Sequence, residues 1–166
     1  MIKLGVAGVC GKMGRRIFDL AAADKDFEVN FALERKGIPQ IGKELGKVKI
    51  SSNPDGLFLV DVFIDFTAAE AADINLDYAA KYKKPLVLGT TGLADAQLKK
   101  VEEVSKVIPV VFSPNMAVGV MFYFLFCLKS PENWARNTVL KLLRRIIKPK
   151  KILLRAQLRS LPRFWL

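Results

Sequence analysis

Hydrophobic and polar positions alternate between two periods along most of the chain. Ile2, Leu4 and Val6 form an apolar run, Gly8, Gly11 and Gly14 follow at three-residue spacing, and Ile17, Leu20 and Ala21 recur at helical spacing within 15–23. Phe27–Leu33 alternates as a second strand, and 37–56, rich in Gly, Pro and Lys, reads as loop with one short strand near Val48–Ile50. Val60–Phe66 is a near-continuous apolar run interrupted by Asp61 and Asp65, the pattern of a strand buried on both faces. Thr67 then stands as the N-cap of a helix through Tyr78–Tyr82, with Glu70 at the capping-box position. Pro85–Leu88 predicts another buried strand running into the turn Gly89–Gly92. A helix from Ala94 to Lys106, a strand Ile108–Phe112, the segment Ser113–Met116 and an apolar stretch Val118–Leu128 complete the pattern.

Strand and helix alternate without hairpin signals, which predicts an α/β, Rossmann-like, doubly wound parallel sheet. The glycine trio fits the first turn of such a sheet. A backbone that bends sharply to meet a pyrophosphate leaves no room for a Cβ, and the following helix N-terminus offers N–H groups and a positive dipole end. An ordinary tight turn is the alternative. Glu34 and Arg35 lie about 20 residues beyond the turn, where such folds meet the adenosine ribose. A carboxylate there accepts from a 2′-hydroxyl and an arginine pairs with a 2′-phosphate, so the pair predicts tolerance of NADH and NADPH; a solvated charged loop is the alternative. Gly89, Thr90 and Thr91 follow a buried strand and are placed to line a crevice at its carboxyl end, unless they form a simple turn.

Composition bounds the rest. The 166 residues are 51% hydrophobic and 26% charged, which suits a globular domain with a real core. Lack of an apolar leader or a membrane-length run predicts a cytoplasmic protein. Cys10 and Cys127 match no metal spacing, and with no histidine in the chain no metal site is expected; both thiols are expected to be reduced and packed. The net charge of +11 is unevenly spread: 1–128 hold 16 Lys and Arg against 15 Asp and Glu, whereas 129–166 hold 11 against 1.

Five segments in order, 8–15 (GVCGKMGR), 33–35 (LER), 62–67 (VFIDFT), 85–93 (PLVLGTTGL) and 108–120 (IPVVFSPNMAVGV), resemble the 4-hydroxy-tetrahydrodipicolinate reductases, formerly called dihydrodipicolinate reductases. The resemblance covers 1–128. It implies an NADH- or NADPH-dependent reductase of the diaminopimelate route to lysine. Cofactor contacts are implied at Gly8, Cys10, Gly11, Lys12, Met13 and Gly14, at Glu34 and Arg35 by the ribose, and at Gly89, Thr90 and Thr91 near the nicotinamide. Phe66, Thr67, Ser113, Pro114, Asn115 and Met116 are implied to border the crevice where substrate meets cofactor. The family's chemistry also uses a second, α+β substrate domain that supplies a histidine pair and a lysine, binds the dicarboxylate substrate and builds a homotetramer.

No histidine exists here to fill that role, so no catalytic residue is assigned. Residues 145–166 can be back-translated so that a shift of one base reads HHKTKKDSPSGTASKLAEILA, and the same shift over 129–145 reads KPGKLGQEYGVEIVEA, the family's expected lead-in and motif. The expectation is therefore a dinucleotide-binding domain over 1–128 and a basic, frameshifted, loosely ordered tail over 129–166. The tail's charge then follows from the shifted codons, and no nucleic-acid or membrane partner is expected, although Leu140–Ile147 has the pattern of a short basic amphipathic helix.

Overall fold

The computed structural model describes residues 1–116. The chain divides into two units at Pro114/Asn115, and the architecture below belongs to the first. Expectations for Val118–Leu128, Cys127 and the tail 129–166 lie outside the described residues.

Among the described residues the elements run β1 Ile2–Ala7, α1 Lys12–Ala23, β2 Phe27–Leu33, β3 Glu44–Leu45, β4 Val48–Ser51, a 3-10 helix Pro54–Leu59, β5 Val62–Asp65, α2 Ala69–Lys81, β6 Leu86–Leu88, α3 Asp95–Ser105 and β7 Val110–Phe112. The strands order as β3-β4-β2-β1-β5-β6-β7, all neighbours parallel except β3 and β4. From β1 the chain builds outward to β2 on one side, then returns to place β5 on the other, so the order reverses between β1 and β5. Ligands of open α/β sheets lie beyond the carboxyl ends of strands at such a reversal.

Period-two alternation sends successive side chains to opposite faces. Val6 and Ala32 join Phe18 of α1, Leu45 and Ile50 in one core. Their neighbours Ala7, Phe31 and Leu33 face the other side and pack with Phe63, Leu76, Ala79, Leu88, Val101 and Val104. Helices therefore cover both faces, as the near-continuous apolar strands require.

Local expectations needed four corrections. First, α1 begins at Lys12 rather than Arg15, so Gly14 already lies within its first turn. Second, the loop after β2 holds a small hairpin: Glu44 pairs with Lys49 and Leu45 with Val48, joined through Gly46 at φ +60°. A two-residue strand is too short to show alternation in sequence. Third, Asn53 caps the unforeseen 3-10 helix through Oδ1, which accepts from the Asp55 N–H at 3.1 Å. Fourth, Ala68, not Thr67, is the N-cap of α2, and no side chain caps that helix.

The 3-10 helix is fastened to α2 by the Tyr82 hydroxyl, which donates to Asp55 Oδ1 at 2.6 Å. That bond, with help from Asn53, holds the Asp55 carboxyl below its ordinary value of 3.8, and it raises the Tyr82 hydroxyl above its ordinary 10.0. Asp55 therefore contributes stability that is complete above pH 3.8 and is lost as pH falls through its folded value. Tyr82 contributes stability that is complete below pH 10.0 and is lost as pH rises through its folded value. Thermal midpoints measured from pH 2 to 12 should show Tyr82→Phe flattening both flanks relative to the unaltered chain; unchanged flanks would disprove the link.

Candidate functional site

The site begins with a close approach. Gly8, directly after β1, adopts φ +77°, a conformation that favours glycine. A Cβ on Gly14 would stand 2.1 Å from the Gly8 carbonyl oxygen, so only glycine lets α1 start this close to the strand end. Gly11 is the N-cap of α1 and offers no side chain to bond the helix. The first N–H groups of a helix have no partner within it, so this end presents donors and a positive dipole end. Lys12 and Met13 occupy that first turn, and Met13 is exposed.

Glu34 follows β2 and reaches across to the same turn. Its Oε2 accepts from the Cys10 N–H at 3.0 Å and its Oε1 from the Arg35 N–H at 3.1 Å. The carboxylate is thus fixed beside the glycine turn, with each oxygen retaining a lone pair for a further donor. Cys10 is free and exposed, which corrects the expectation of a packed thiol. Local desolvation, then the charge and hydrogen bonding of Glu34, raise its thiol above the ordinary value of 9.0.

A cleft of about 1010 Å³ opens at the carboxyl ends of β1, β2 and β5. Gly8, Cys10, Gly11, Glu34, Arg35, Phe66 and Thr67 line it together, drawn from three separate stretches of sequence. Lys12, Met13 and Gly14 support it from α1 without lining it. Gly89, Thr90 and Thr91 also do not line it; they follow β6, alongside the ring of Phe66, which lies so close that a Cβ on Gly89 would meet it at 2.3 Å. Thr90 is buried, and its hydroxyl has no hydrogen-bond partner among the described residues. Ser113 extends the sheet, its N–H donating to the Leu88 carbonyl at 3.0 Å, and Pro114 ends the first unit. Asn115 and Met116 fall in the second unit.

Several lining residues escaped the sequence reading. Ile38 and Gln40 come from the β2–β4 connection, Asn53 from the turn after β4, and Ile74, Asn75 and Tyr78 from α2. Asn75 did leave a signal: it shares the buried stripe of Ala72, Leu76 and Ala79 at helical spacing, a polar side chain in an apolar row. The others sit on loops or partly exposed faces, where no periodicity marks them.

No group of three or more Cys, Asp or Glu among the described residues could hold a metal ion, and no helix there is long and apolar enough to cross a membrane. The raised Cys10 thiol yields a prediction. Alkylation at Cys10, followed by mass spectrometry of its peptide, should reach half its maximal rate above pH 9.0. Glu34→Gln should move that midpoint to lower pH, and an unmoved midpoint would show that the carboxylate does not act on the thiol.

A family model described as "Dihydrodipicolinate reductase, N-terminus" matches residues 2–116. The 4-hydroxy-tetrahydrodipicolinate reductase of Citrifermentans bemidjiense is 36% identical over 133 residues, covering 75% of this chain and 50% of the relative. That of Geotalea daltonii is 37% identical over 133 residues with the same coverage. The chain thus spans about half the length of the curated relatives it matches. Among solved structures, a dipicolinate-bound dihydrodipicolinate reductase from Paenisporosarcina sp. TG-14 superposes with TM-score 0.64 at 23% identity, covering 76% of this chain and 52% of that one. A probable dehydrogenase from Thermotoga maritima shares the fold at TM-score 0.54 and 18% identity, covering 66% and 35%. With the family model spanning residues 2–116, most of the chain, the chain belongs to the dihydrodipicolinate reductase family.

Proposed function

We propose that this chain holds NADH or NADPH in the cleft and is the cofactor-binding part of a reductase acting on 4-hydroxy-tetrahydrodipicolinate in lysine biosynthesis. The observation that carries the reading is the packing of Gly14 against Gly8, which brings the uncapped start of α1 beside the cleft with Glu34 fixed next to it. In this reading the first-turn N–H groups of α1 hold the pyrophosphate. Glu34 accepts from ribose hydroxyls, and Arg35 and Lys36, both on the cleft wall, meet a 2′-phosphate. Phe66 and Thr67 line the same cleft. The bound nicotinamide would supply the hydride.

Reduction also requires a proton donor, and the histidine pair that the family resemblance implies is absent from these 166 residues. A positioned acid is worth roughly 10²-fold to 10⁴-fold in rate, so the proposal for this chain is cofactor binding without turnover. The frameshifted tail is part of the same reading, and the codons around Lys129 test it directly: triplets that do not regroup to the histidine motif reject it.

Titration of the purified chain by nucleotide fluorescence should show saturable binding of NADH and NADPH. Gly14→Ala should weaken both about tenfold or more, since a backbone carbonyl must move to admit the Cβ. Arg35→Ala should weaken NADPH about tenfold while leaving NADH within about twofold. Lack of binding by the unaltered chain would overturn the reading, whereas reductase turnover at family rates would overturn only the statement that the chain is inactive.

A further inference from the structure

The carboxyl end of β5 buries a carboxylate that the reading above does not use. Asp65 is fully buried, flanked in the sheet by Ala7 of β1 and Leu88 of β6. Its Oδ1 accepts from the Thr67 N–H at 2.8 Å and from the Thr67 hydroxyl at 2.6 Å. Its Oδ2 accepts from Asn75 Nδ2 at 2.8 Å, and the same amide lies 3.3 Å from the Thr67 hydroxyl oxygen. All these donors are neutral. A buried carboxylate is costly unless its oxygens are bonded, so the arrangement is held tightly where it exists.

The clasp encloses a single residue, Phe66. Asp65 lies before it, Thr67 after it, and Asn75 ties both to the second turn of α2. The Thr67 hydroxyl bonds back to Asp65 at 2.6 Å, with only a long 3.5 Å contact forward to the Ala68 carbonyl, and the first turn of α2 has no side-chain cap. Asn75 instead links this helix to the strand end from its second turn, without bonding the N–H groups at its start. The enclosed turn touches both glycine segments. The Phe66 carbonyl oxygen is 3.0 Å and Thr67 Cγ2 3.3 Å from where a Cβ on Gly8 would stand, and the Phe66 ring covers Gly89.

We propose that Asp65 and Asn75 are positioning residues: their clasp on Thr67 fixes Phe66 between Gly8 and Gly89, and so sets the affinity of the cleft for a dinucleotide. The inference rests on the cofactor reading of the cleft. Asp65 does not line the cleft, so its effect on binding passes through the turn it holds; Asn75 does line it, and the Phe66 resonance separates its hold on the turn from a direct contact.

The test uses the full chain labelled with 4-fluorophenylalanine, the Phe66 resonance being identified by its loss in Phe66→Leu. In Asn75→Ala that resonance should shift or broaden while the other rings hold, and affinity for NADH and NADPH should fall about tenfold, the scale of one buried hydrogen bond left unmade. The double exchange Asp65→Asn with Asn75→Asp keeps a carboxylate facing an amide, so it should restore the resonance and bring affinity back to within about threefold. Asn75→Ser, which retains a donor, carries the same comparison should Asn75→Ala fail to fold. Unchanged affinity in a folded Asn75 variant, or an exchange that restores melting temperature but not affinity, overturns the proposal while leaving the cofactor reading intact. Failure of the unaltered chain to bind either nucleotide overturns both.

Discussion

Contact between two glycines sets the geometry of this domain. Gly14, inside the first turn of α1, lies against the Gly8 carbonyl so closely that no other residue fits without moving backbone. This fixes the angle at which the chain leaves β1, and the angle in turn decides which face α1 covers and where its positive end lies. Phe18, one turn further along α1, then reaches the core of Val6, Ala32 and Ile50. The same contact that seats the helix on the sheet also exposes the donors at its start, so packing and binding capacity follow from one steric fact.

A second constraint meets the first at the reversal of strand order. β1 and β5 are neighbours, Ala7 pairing with Asp65, so the turns that follow them leave the sheet side by side. One turn is shaped by missing side chains and the other by a buried carboxylate with its three hydrogen bonds. Small residues allow backbone to approach backbone; the polar clasp holds the approaching segment there. Outward from this pair, Glu34 adds the only charge fixed to the glycine turn by a hydrogen bond among the described residues. Its carboxylate bridges β2 to β1 and raises the Cys10 thiol as a consequence.

Peripheral fastening is of a different and weaker kind. Lys100 of α3 meets Asp77 of α2 at 2.7 Å, and Gln97 donates to the Ala69 carbonyl at 2.7 Å. The ion pair is largely solvated on its acidic side, so it contributes at most about 1 kcal/mol. Burial of Leu76, Ala79, Val101 and Val104 beneath those contacts does more to hold the two helices on the sheet.

The glycine spacing, the Phe27–Leu33 strand and the position of Glu34 were legible in the sequence because each is set by neighbours a few residues away: φ, side-chain alternation, and distance along one strand-helix-strand unit. The apolar runs at β5, β6 and β7 likewise announced a parallel sheet covered on both faces. The sequence did not reveal where Thr67 would spend its hydroxyl. Its own helix start and the Asp65 carboxylate were both within reach; it bonds Asp65, and Asn75, brought back from the second turn of α2, meets the same pair. Strand β3 and the loop residues of the cleft were equally silent, being too short or too exposed to carry a period. Local sterics and periodicity thus determined the longer strands and helices and the glycine turn. Tertiary structure alone decided which polar groups meet at the cleft, because a hydrogen bond between segments exists only once the sheet has placed both partners within about 3 Å.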